Sequence, residues 1–161
     1  MSRAQVRSQL TSWLQDGNID GLGQVFSSFP KRINFQTNSV PGQKSRAAAV
    51  VFIENETEYR LALGGATSGV KRLDYEVAVQ VFHHSVWDDP QKAMDDFDNL
   101  IDGIKDRLRS DHRFGDATGV LVWQGAEPGI DVSYGVPKTV DGGAVETWAA
   151  LRFQVSQVFN A

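Results

Sequence analysis

Between Arg72 and Phe82 the chain alternates, with Tyr75, Val77, Val79 and Val81 on one side of an extended backbone and Arg72, Asp74, Glu76 and Gln80 on the other. Successive side chains of a pleated strand point to opposite faces, so this period of two predicts a strand with its Tyr and Val side turned to a core. A continuous apolar run, Ala47 to Ile53, lies upstream and is rich in β-branched residues, as expected of a strand that is central or covered on both faces. The polar Glu54 to Thr57 segment is predicted to turn the chain back into a further strand carrying Tyr59, Leu61 and Leu63, so that the two read as a hairpin. Three more strands fit Gly119 to Gln124, Ile130 to Tyr134 and roughly Val145 to Val158, the last with Leu151, Phe153 and Val155 on one face.

Two segments change to helical spacing. Val6, Leu10, Trp13 and Leu14 form one stripe, with Ser2 and Gln5 spaced as a capping box and Gly17 placed to end the helix. Asp89 before Pro90 predicts a sharp start for a helix over about 89–110, because proline at the first helical position gives up an N–H that has no partner there anyway. Its predicted apolar stripe is Met94, Phe97, Ile101, Ile104 and Leu108, and Lys105, Arg107 and Arg109 near its end complement the dipole. Gly103 inside this helix is explained if the helix packs closely on the sheet. Residues 18–46 read as a Gly- and Pro-punctuated connector in which Leu22, Val25 and Phe26 form at most a short helical turn and Pro41 to Arg46 is the candidate mobile loop. The expectation is one α+β domain over 1–161: an N-terminal helix (1–17), the connector (18–46), and a mixed, mainly antiparallel sheet packed by the long helix (47–161).

Composition removes several function classes. The longest apolar run has seven residues, against about 20 for a membrane helix, and the N-terminal segment lacks the apolar stretch and small-residue cleavage site of a signal peptide, so a cytoplasmic protein is expected. There is no cysteine, which excludes disulfides, thiol nucleophiles and Cys-ligated metals. With 16 basic and 20 acidic residues the net charge is −4, giving no footprint for gripping a polyanion.

No catalytic constellation stands out, and no enzyme, cofactor or metal is expected. The segment Gly64 to Lys71 has the glycines of a phosphate-binding loop, but Val70 stands where its lysine belongs and a strand follows rather than a helix. His83 and His84, with Asp88, Asp89, Asp111 and His112, are the one metal or acid–base set to weigh; adjacent strand residues point apart, and a metal site needs three or four converging ligands. The informative features are surfaces. Arg72, Asp74, Glu76 and Gln80 form either a solvated sheet face or a subunit interface. Asp98, Asp102 and Asp106, at i, i+4 and i+8, form either a hydrated helix face or one that a basic neighbour relieves. Gly64, Gly65, Thr67 and Ser68, together with Lys138 in the Val136 to Gly143 stretch, are the candidate loop contacts.

The layout is an amphipathic helix, a punctuated connector, the strand LDYEVAVQVF, the helix DPQKAMDDFDNLIDGIKDRLRSD and three closing strands. Over nearly the whole chain it resembles the tail terminator proteins of long-tailed bacteriophages, with Arg72 to Asp111 carrying most of the likeness. The resemblance implies a structural protein that forms a six-membered homo-oligomeric ring, caps the tail tube, stops its polymerisation and offers a surface to the head–tail connector protein. It further implies a place in the virion tail after assembly in the host cytoplasm, with the tube protein as a partner and DNA passing through without specific binding. Alternatives are another head–tail joint, such as a head-completion or tube subunit, and a small α+β enzyme or ligand-binding domain with a pocket around His83, His84 and Trp87.

Overall fold

The computed structural model describes residues 1–33, 44–61, 69–118, 121–123, 129–140 and 142–160. The described elements are α1 (Arg3–Gln15), β1 (Leu22–Phe26), β2 (Ser45–Arg60), β3 (Val70–Ser85), α2 (Pro90–Arg109), β4 (Leu121–Trp123), β5 (Asp131–Tyr134), β6 (Lys138–Thr139) and β7 (Val145–Asn160). All strands join one mixed sheet in the order β1-β2-β3-β7, with β4, β5 and β6 each pairing with β7. β1 runs parallel to β2 and the other pairs are antiparallel. The mixed α and β content agrees with the sequence reading, and the sheet dominates it.

The alternation places β3 as expected. Tyr75, Val77, Val79 and Val81 are buried, facing the same side as Ala47, Ala49, Val51 and Ile53 of β2 and Ala149, Leu151, Phe153 and Val155 of β7. The buried residues of α1 (Val6, Leu10, Leu14) and α2 (Phe97, Leu100, Ile101, Ile104, Leu108) belong to the same apolar cluster. On the reverse side of the sheet small residues are also buried: Ala48, Val50, Ala78 and Ala150 are all at most 4% exposed. The apolar run in β2 is thus covered on both faces, which is why it shows no alternation.

The hairpin differs from expectation. Glu54 to Thr57 is no turn; β2 continues through it to Arg60, with a register irregularity between Ile53 and Asn55. Every residue from 54 to 60 is exposed. A bulge followed by a strand open to solvent has the same polar composition as a turn, so sequence alone does not separate them. The reversal comes later: the Leu61 N–H donates to the Val70 carbonyl at 2.8 Å, while Leu63 lies outside the described residues. The Leu22–Phe26 segment is likewise a strand and not a helical turn. The Gln15 side chain holds it, receiving the Val25 N–H at 2.8 Å and donating to the Gly23 carbonyl at 3.2 Å. Of the expected mobile loop, 41–43 lie outside the described residues, and Ser45 and Arg46 already belong to β2.

Both helix starts follow the sequence. Ser2 and Gln5 form the reciprocal capping box, and the Asp89 carboxylate accepts the Gln91 N–H behind Pro90. Met94, expected in the buried stripe of α2, is 37% exposed; Ala93 and Leu100 are buried in its stead, a rotation of the stripe by part of a turn. Gly103 meets the turn after α1 and not the sheet: a Cβ there would lie 3.0 Å from Ile19 Cγ2. α1 ends at Gln15, and Gly17 answers to a different constraint, since its Cβ would fall 2.6 Å from Arg107 Nε. That guanidinium stacks 3.4 Å over the Trp13 ring and donates to the Trp13 carbonyl at 2.9 Å, while Trp13 Nε1 donates to the Arg107 carbonyl at 3.2 Å.

This reciprocal clasp ties α1 to α2. Arg107→Ala is expected to lower stability by about 2 kcal/mol through the lost stack and charge-assisted hydrogen bond. Arg107→Lys is expected to restore less than half of it, because an ammonium has neither the plane nor the fork. Denaturant unfolding of the three proteins measures this.

Candidate functional site

The strand face Arg72, Asp74, Glu76 and Gln80 is not one continuous strip. Arg72 and Asp74 form an ion pair in which Nη2 donates to Oδ2 at 3.0 Å and Nε lies 2.9 Å from Oδ1 without the alignment of a hydrogen bond, and the Ser156 hydroxyl also donates to Asp74. The Arg72 guanidinium lies 4.8 Å above the Tyr59 ring. Gln80 is half-buried between Val50 and Ala150 in the strand register, and Ala78, between it and Glu76, is fully buried. Glu76 alone is exposed. It borders a hollow of about 240 Å3 with Glu54, Asp131 and Arg152, where Arg152 Nε donates to both Glu54 oxygens at 3.0 and 3.2 Å and Nη1 to the Ser133 hydroxyl at 3.3 Å.

Asp98, Asp102 and Asp106 are all exposed on α2. Lys105 reaches Asp102 at 2.6 Å and Arg109 reaches Asp106 at 3.5 Å, so two members of the column are paired within their own helix. Lys138, expected on a loop, belongs to the two-residue strand β6 and is exposed opposite Glu146. Gly64, Gly65, Thr67 and Ser68 lie outside the described residues.

A cleft of about 950 Å3 opens between α2, the turn at Gly17 to Gly21 and the start of β2, reaching His83 of β3 and Trp87 beyond it. Asp96 organises its floor: one carboxylate oxygen, Oδ2, accepts from the Ser45 hydroxyl at 2.6 Å and from Trp87 Nε1 at 2.7 Å. The strand register places Ser45 opposite Ser85, and their hydroxyls are 3.0 Å apart. His83 is 3% exposed, packs against the Phe97 ring and has its Nδ1 3.4 Å from the Thr147 hydroxyl. Burial, partly offset by the charge of Asp96, lowers its pKa to about 4, so the imidazole is neutral at physiological pH. Of the three residues the sequence suggested for a pocket, His83 and Trp87 are here. His84 points to the other face, 3.4 Å from Glu146. Asp96 and Ser45 escaped the sequence reading, since only the strand register and the helix placement bring them together.

The remaining acid–base candidates are separate. Asp89 caps α2. Asp111, with its pKa lowered by the Arg113 and Gly115 backbone N–H groups, sits beside His112 in the turn after α2. Among the described residues no three His, Asp or Glu side chains converge to hold a metal, and no helix is long and apolar enough to cross a membrane. No family model matches the chain, and no curated protein matches it.

Two predictions follow from these placements. Asp74→Ala, which strands Arg72 and Ser156, is expected to cost about 1–3 kcal/mol, whereas Glu76→Lys is expected to stay within about 0.5 kcal/mol, both read from thermal melts. For His83, the folded pKa lies below the ordinary 6.5, so the unfolded chain takes up a proton that the folded chain refuses. The His83 contribution to stability is constant above about pH 6.5, falls as the pH drops toward 4 and levels off below, a loss on the order of 3 kcal/mol. Chemical denaturation across this window is expected to show a shallower fall for His83→Phe than for the unaltered protein.

Proposed function

We propose that this chain is a non-enzymatic assembly protein whose copies join edge to edge in a closed ring, in the manner of a phage tail terminator. In this reading α2 lies across the sheet as a rigid backing layer, and the ring, of six copies, caps the tail tube in the virion and meets the head connector. The observation that carries it is that the two ends of the sheet are unlike and both present apolar side chains. At the β1 end Phe29 is 57% exposed and rests on Phe52, 5.2 Å between ring centroids. At the β5 end Tyr134 is 56% and Val136 86% exposed.

Surfaces of this kind favour a heterologous, head-to-tail contact, which closes into a ring when the rotation permits. Charge is compatible with a DNA conduit, because a net −4 chain does not hold the polyanion that must slide past it. The paired Asp102 and Asp106 and the exposed Asp98 suit a solvated rim better than a buried seam, since desolvating such pairs is costly. A second reading, a ligand-binding domain, rests on the cleft beside His83.

Native mass spectrometry at high protein concentration, with electron microscopy of tail tubes incubated with the protein, tests the first reading. The expected result is a closed ring and density at one tube end, both lost in Val136→Asp while the melting temperature stays within a degree or two, because so exposed a side chain contributes little to folding. A protein that is monomeric at every concentration and leaves tube ends bare overturns it.

A further inference from the structure

We infer that the cleft between α2 and the turn after α1 is a binding site for an organic cation, a guanidinium or primary ammonium group, received by Asp96 Oδ1 and His83 Nε2. This goes beyond the ring reading and does not depend on it. The inference starts from what the floor leaves unsatisfied. Asp96 engages two protein donors through Oδ2, and among the described residues no donor reaches Oδ1. His83 is 3% exposed, and among the described residues its one hydrogen-bond contact is at Nδ1 with Thr147 and its Nε2 has no partner, although the residue lines the cleft. Both atoms open to the cleft, where a ligand's N–H donors replace water on them.

The charge around the floor sets the sign of the ligand. Four carboxylates line the cleft, Asp20, Asp96, Asp102 and Asp106, against two cations, Lys44 and Arg107; Asp102 and Asp106 are paired with Lys105 and Arg109, which leaves Asp20 and Asp96 against Lys44. Arg107 is already committed to the Trp13 ring and carbonyl. An anion would therefore meet net repulsion, whereas a cation gains from the field. A bare metal ion is a poor fit, since the described residues offer no set of three converging ligands. A guanidinium or ammonium carries several N–H donors, enough to reach a carboxylate oxygen and an imidazole nitrogen together. Its arrival selects the ring tautomer in which Nδ1–H donates to the Thr147 hydroxyl and Nε2 accepts. The volume of about 950 Å3 also exceeds what a single ion needs and suits a group carried on a longer body.

The cation can come free or on a polypeptide, and two probes separate these sources: agmatine and the tripeptide acetyl-Gly-Arg-Gly-amide, with succinate as the anionic control. Binding is followed by NMR at the His83 ring and the Trp87 indole N–H. Both cations are expected to shift these signals saturably, and succinate is not. Asp96→Asn, whose amide oxygen still accepts from Ser45 and Trp87, is expected to weaken binding about tenfold. The exposed-rim variant Asp106→Asn is expected to weaken it about twofold, and it carries the test if Asp96→Asn fails to fold. Tighter binding of the tripeptide assigns the site to a protein-borne side chain, and tighter binding of agmatine to a free amine. Absence of saturable shifts with either cation, unchanged affinity in folded Asp96→Asn and Asp106→Asn, or succinate binding as tightly as agmatine overturns the inference.

Discussion

The pairing of β3 is the constraint on which the rest of the structure depends. Every residue from Val70 to Ser85 has a partner on β7, and nearly as long a ladder joins β3 to β2. A slip of one residue on either side would turn Tyr75, Val77, Val79 and Val81 out of the core, so the alternating pattern fixes the register of three 16-residue strands at once. The same register sets Ser45 against Ser85, His83 against Thr147 and Asp74 against Ser156. The Ser45–Ser85 and His83–Thr147 contacts of the cleft floor and the Asp74–Ser156 hydrogen bond are thus consequences of strand pairing and not independent features.

Around this three-stranded spine the molecule is asymmetric. One side is finished by the parallel strand β1, partly held by a helix side chain, and the other by three short strands laid end to end along β7. On one face the apolar cluster holds buried residues of the sheet and of both helices; on the other, Ala48, Val50, Ala78 and Ala150 are buried and Trp148 lies close on the backbone. At the β5 end this needs a glycine: a Cβ on Gly135 would fall 2.1 Å from the Trp148 ring. Unlike ends of the sheet are the physical basis for proposing head-to-tail assembly, with exposed Phe29, Tyr134 and Val136 as the proposed anchors.

Much of the fold was legible because its signals are local. The Ser2–Gln5 box and the Asp89–Pro90 start need only neighbours in sequence, and period two in β3 needs only the pleat. What failed was polar or short: residues 54–57 read as a turn although they form solvated strand, and Leu22–Phe26 was too brief to declare itself without the Gln15 amide and the β2 edge beside it. The candidate site was legible in part. His83 and Trp87 were named from sequence, but the apparent continuity of Arg72, Asp74, Glu76 and Gln80 dissolved, because side chains sharing a face still choose different partners. Asp96 carries no sequence mark, since its role depends on a serine 51 positions away.

The head-to-tail arrangement makes a demand that a two-fold symmetric contact does not. Two variants, Phe29→Asp and Val136→Asp, each spoil one end of the sheet and leave the other intact. Mixed together and weighed by native mass spectrometry, they should form one-to-one pairs at twice the 17.7 kDa chain mass and nothing larger, since each pair uses up both intact ends. Rings re-forming in the mixture, or each variant pairing with itself as well as with the other, would contradict the account.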